Sequence, residues 1–220
     1  MNAVSELHAL LSAARRAQED SSEAAIAAIE SLPWLTESID HDREQARFDA
    51  WGLSTVIDEN VGASVISRSL FAELHRRAGI DAEWPIGNAG LLHCYGYLLS
   101  LVETPYGFKR ERWIGGELAV ACGLAPHAFL PWQEGRSLLE RATGAASGIL
   151  ARATLATTVS VDCRSTRLGL SRGLGAAALA YAVAPTAETP PLLITLFPVT
   201  DADSVRAEFA SVARLRWNAV

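Results

Sequence analysis

His93, Tyr95, Tyr97 and Glu103 alternate along the segment 90–104, so on an extended strand an imidazole, two phenols and a carboxylate project to one side. Such a face lines a pocket in which Glu103 or His93 acts as general acid or base. Tyr95 and Tyr97, with Tyr106 in the following turn, would orient a small polar or aromatic substrate. Ten positions separate His93 from Glu103, about 33 Å along an ideal strand, so the two cannot share one proton transfer. Glu103, beside the turn Thr104-Pro105-Tyr106-Gly107, is the better acid/base candidate. The same face also reads as an amphipathic surface strand whose polar groups are solvated.

Arginines supply the second constellation. Lys109, Arg110 and Arg112 follow the turn, and Arg164, Arg167 and Arg172 come later. Guanidinium forks grip carboxylates and phosphates through paired hydrogen bonds, so two or three of them converging would clamp an anionic substrate. Read without a ligand, Lys109 to Arg112 is a charged edge strand with local ion pairs, and Arg164 and Arg167 flank a turn.

A third segment, Leu170-Ser171-Arg172-Gly173-Leu174-Gly175, follows a strand pattern and precedes the Ala-rich run Ala176 to Ala184. Glycines between a strand and a helix let backbone N–H groups approach a pyrophosphate. With the Ala-rich run as a helix, Leu192 to Val199 as a strand and Asp201 to Arg214 as a helix, this order resembles the acyl-CoA site of GNAT-type acetyltransferases over about a quarter of the chain. Leu170 stands where that family has Arg or Gln. The resemblance implies an acyl-CoA-dependent N-acyltransferase with Arg172, Gly173 and Gly175 at acetyl-CoA or another acyl-CoA. Leu168 to Val183 also reads as one strand whose small residues accept a closely packed helix.

These groups must be positioned by elements that the hydrophobic spacing suggests. Val4, Leu7, Leu10, Leu11 and Ala14 lie on one helical face, and a second helical pattern runs from Ala24 to Leu32 and stops before Pro33. A third spans about Val61 to Arg77, with Asp58-Glu59-Asn60 as its N-terminal cap. Residues 1–84 thus form a helical region and residues 85–220 a sheet-containing one, joined as one unit. In the second region, 90–104 and the segment after the turn form a hairpin. Ser137 to Leu150 is a helix, and 154–164 and 191–199 are strands. The fold class is α+β, a mainly antiparallel sheet with helices on one face and a helical N-terminal extension. The sheet's other face is left for a pocket or a homodimer seam.

The chain of 220 residues is 50% hydrophobic and carries a formal net charge of −6 without a basic block, which disfavours nucleic acid. Cys94, Cys122 and Cys163 are too few and too scattered for a disulfide framework or a zinc site. Residues 1–16 lack the pattern of a cleavable signal peptide, and no apolar run reaches the roughly 20 residues of a membrane span. The expectation is a cytoplasmic, metal-independent and cofactor-independent enzyme acting on a small anionic or aromatic metabolite. A third class is a ligand-sensing or interaction module, presenting amphipathic N-terminal helices and exposed Trp34, Trp51 and Trp132.

Overall fold

The computed structural model describes residues 3–152, 157–161, 164–172, 177–184, 186, 189–211, 215 and 217–220. Helices α1 (Ala3–Arg16), α2 (Ser22–Glu30) and α3 (Pro33–Glu44) open the chain. Ser21 caps α2 by accepting the Ala24 N–H at 3.1 Å. Helix α2 ends before Pro33, as its pattern predicts, and Pro33 occupies the first turn of α3, where its missing N–H would have no helical partner anyway. Helix α4 (Arg68–Ala78) starts seven residues later than its hydrophobic pattern suggests, because Ser67 and not Asp58 or Asn60 caps it.

The largest departure from the sequence pattern is at 90–104. Strands β1 (Leu53–Thr55) and β2 (Ile86–Asn88) form a short antiparallel ribbon, and the chain then enters helix α5 (Ala89–Cys94) and a 3-10 turn (Gly96–Leu99). No long strand exists there. Every residue of α5 and of the turn is buried. A helix enclosed on all sides shows no 3.6-residue amphipathic signal, and the chance alternation of its polar residues imitates a strand. The expected hairpin survives only as β3 (Glu103–Thr104) with β4 (Gly107–Phe108), and the segment read as a charged edge strand leads into helix α6 (Glu111–Ile114).

Helices α7 (Glu117–Ala121) and α8 (Leu138–Arg152) precede an antiparallel meander of β5 (Thr157–Val161), β6 (Arg164–Arg172), β7 (Ala177–Ala184) and β8 (Leu192–Val199), and α9 (Ala202–Ser211) follows. The fold is therefore α+β with antiparallel sheets. The Ala-rich run expected as a helix is strand β7, paired along its length with β6 and β8. Its alternation explains why. Ala178, Ala180 and Ala182 join the core shared with α5, α7 and α8, where small side chains let the helices sit close. Leu179, Tyr181 and Val183 enter a second cluster with Phe209 of α9. The sheet face that was expected to be free is thus covered by α9 and by the segment around Trp217.

The first cluster draws on residues from Leu10 to Leu196, so both sides of the expected boundary at 84/85 contribute to it. Trp34 and Trp51 are buried in it and Trp132 packs against it, contrary to their expected exposure. No helix among the described residues is long and apolar enough to cross a membrane.

Candidate functional site

The polar groups that converge lie where β1, α5, α6 and β8 meet. Asn88 caps α5, its Oδ1 accepting the Leu91 N–H at 3.0 Å while its Nδ2 donates to the carbonyls of Phe48 and Trp51. At the other end of α5 the His93 carbonyl, beyond the reach of helical donors, accepts the indole N–H of Trp113 at 2.8 Å. Both ends of a six-residue helix are thereby fixed, and so is the imidazole it carries.

His93 Nε2 lies 3.2 Å from the Ser54 Oγ of β1, both groups being buried. The imidazole stacks on Tyr97 with ring centroids 4.9 Å apart. Its Nδ1 is enclosed and has no hydrogen-bond partner among the described residues. Burial, reinforced by the positive charges of Arg112 and Lys109, holds His93 well below its ordinary value of 6.5, so the ring is neutral near pH 7. A neutral ring keeps one nitrogen able to accept a proton.

Two cations border the pair. Lys109 Nζ sits 4.7 Å from the Tyr97 ring centre and 2.6 Å from the Asp58 carboxylate. Burial works to raise the Asp58 pKa. The Lys109 ammonium and the N–H groups of Asn60 and Val61 outweigh it and bring the carboxyl below 3.8. Arg112, on α6, donates from Nη1 to the Thr195 Oγ1 of β8 at 3.2 Å, and its guanidinium lies 5.6 Å from the ring centre of Phe197 and 5.9 Å from that of Trp113. Arg112 has no carboxylate partner among the described residues, although it is half-buried. Burial lowers its pKa from 12.5, and a guanidinium keeps its charge at neutral pH.

Of the residues singled out in the sequence, the fold brings together His93, Tyr97 and Arg112, with Lys109 beside them. It separates the others. Glu103 is exposed on β3, away from the imidazole's contacts, and Tyr106 is 84% exposed at the turn. Tyr95 points into a different network, donating to the buried Asp42 carboxylate, which also accepts from Ser137. Arg110 is buried and structural: it donates to the Ser100 carbonyl at 2.7 Å and lies over the Phe108 ring. Arg167 reaches toward the Leu150 carbonyl of α8 at 3.4 Å, not toward Arg112. Arg164 and Arg172 lie on β6, their side chains outside the description, and Gly173 and Gly175 lie outside the described residues. The helix that would follow the glycines in an acyl-CoA site is strand β7.

The sequence carries no site signal for Ser54, Asp58 or Thr195, and the pattern of Asp58-Glu59-Asn60 is that of a helix cap. Ser54 precedes His93 by 39 positions and carries no local signal. Among the described residues no group of three or more His, Cys, Asp or Glu side chains is arranged to hold a metal ion. No family model matches the chain, and comparison with curated proteins and with solved structures gives no match.

Proposed function

We propose that the protein is an enzyme that binds a small organic anion at Arg112 and carries out acid/base chemistry on it through His93. The observation that carries this is Arg112, a half-buried cation whose protein hydrogen bond goes to a neutral hydroxyl, next to an imidazole that burial keeps uncharged. A charge withdrawn from water without an opposite charge is costly, and a bound anion removes that cost. Lys109 is already neutralised by Asp58, so it frames the site while Arg112 anchors the ligand.

In this scheme the anionic end of the substrate rests on Arg112, and the neutral His93 imidazole, buried in the same cluster, takes up a proton and returns it later in the cycle. Ser54 holds the imidazole's orientation through Nε2, and Tyr97, stacked on the ring, limits its rotation. Burial pushes the Tyr97 phenol upward, so it stays protonated, its hydroxyl directed to the Thr55 carbonyl at 3.4 Å.

Thermal unfolding in the presence of inorganic phosphate, benzoate and acetyl-CoA tests the binding step. An anion present at a hundred times its dissociation constant adds roughly 2.7 kcal/mol of stability, and this gain should vanish in Arg112→Gln. A stabilisation by acetyl-CoA that survives Arg112→Gln would instead favour the acyltransferase reading.

A further inference from the structure

Resting on the assignment of Arg112 as an anion anchor, we infer that the ligand is a monocarboxylate carrying an apolar body, and not a phosphate ester. Charge is the first argument. The cluster holds Lys109 and Arg112 against Asp58, a surplus of one positive charge, with Glu59 exposed to solvent near its edge. His93 is neutral, and the Cys94 thiol and Tyr97 phenol are held in their neutral forms by burial. A carboxylate matches that surplus. A phosphate monoester, close to a dianion near pH 7, brings a second negative charge that no described group of the cluster balances.

Geometry is the second argument. Nη1 of Arg112 is engaged with Thr195, whereas Nε and Nη2 have no partner among the described residues. That edge of the guanidinium presents two parallel N–H groups, the spacing that a carboxylate accepts with both oxygens. The surroundings are the third. The ring centre of the half-buried Phe197 lies 5.6 Å from the guanidinium, so the atoms attached to the carboxylate would rest against aromatic surface.

Isothermal titration calorimetry of the full chain with benzoate, acetate and inorganic phosphate at pH 7.5 tests this. Benzoate is expected to bind at least tenfold more tightly than acetate, and acetate more tightly than phosphate. Arg112→Lys, which keeps the charge and loses the paired donors, should weaken benzoate binding tenfold or more. If phosphate binds as tightly as benzoate and Arg112→Lys weakens it, the carboxylate inference is overturned while the anion site stands. If no probe binds, the anion site falls, and this inference with it. The order of the three affinities in the unmodified protein decides the matter even if the variant does not fold.

Discussion

Ser54 Oγ and His93 Nε2 lie 3.2 Å apart in the interior, one on a three-residue strand and the other on a six-residue helix. Neither element would persist in isolation. The pair exists because β1 is held from both sides: β2 pairs with it, and Asn218 donates through Nδ2 to the Thr55 and Ile57 carbonyls while its own carbonyl accepts the Thr55 N–H. The chain's last described residues thus position the serine that faces the imidazole.

Replacing Ser54 with Ala removes the Nε2 partner and leaves both ring nitrogens buried without one. An unpaired buried polar group costs about 1 to 3 kcal/mol, and at this chain length each kcal/mol lowers Tm by roughly 2 to 4 °C. A drop of several degrees in a thermal melt is expected. An unchanged Tm would show that the contact does not hold the imidazole.

Much of the outer framework was legible in the sequence because it alternates between core and solvent. Leu10 and Ala14 of α1, and Leu138, Leu139, Ala142, Ala146 and Ile149 of α8, face inward at helical spacing, and β8 reads as the apolar run it is. The site was not legible, for the opposite reason. Helix α5 is enclosed on every side, so its hydrophobicity has no period, and strand β7 is built largely of alanine, whose helical preference yields to pairing on both edges. Arg112 and His93 were recognised as chemically capable residues. Their proximity follows from the hydrogen bond that Trp113 of α6 donates to the His93 carbonyl of α5, which spacing along the chain does not encode. Glu103 stands beside a real turn, and the turn carries it outward.

The seat of α5 can be tested through its second residue. A Cβ at Gly90 would lie 2.6 Å from the Trp51 Cγ and 2.8 Å from the Leu139 Cδ1, so Gly90→Ala should cost about 1 to 3 kcal/mol through forced displacement of core side chains. Gly144 in α8 is the counterpart: nothing lies within 4 Å of its added Cβ, and Gly144→Ala should stabilise by about 0.5 to 1 kcal/mol. Urea titration of the two variants should move the midpoints in opposite directions.

Asp42 links three helices. Its buried carboxylate accepts from the hydroxyl of Tyr95, the residue that follows α5, at 2.5 Å, from the Ser137 hydroxyl that caps α8 at 2.6 Å, and from Arg47 at 3.2 Å. Asp42→Ala strands the Tyr95 and Ser137 hydroxyls and leaves Arg47 with Glu140 alone, and should cost about 3 to 5 kcal/mol. Tyr95→Phe, which leaves the carboxylate with its other two donors, should cost about 1 to 2 kcal/mol. Equal losses in the two variants, measured by denaturant unfolding, would contradict this ranking.

Stability should fall as pH drops from 7 toward 5, because two histidines are neutral inside the fold. His75 donates from Nδ1 to the Phe71 carbonyl and accepts the Asn88 N–H at Nε2, a pattern available to the neutral ring alone. Burial lowers it below 6.5, as burial and the neighbouring cations lower His93. Both contributions are complete above the unfolded value of 6.5 and diminish below it, since the unfolded chain then binds protons that the folded chain does not. Each ring contributes at most about 1.4 kcal/mol per pH unit in that window. The lowered carboxyls of Asp20 and Asp58 act further down, below about pH 4, so the two effects separate. Denaturant unfolding at pH 7.5, 6.5 and 5.5 should show the decline, and His93→Asn should show a shallower one from whatever stability it starts with. A stability that is flat or rises toward pH 5.5 would mean that these rings accept their protons without leaving the native state.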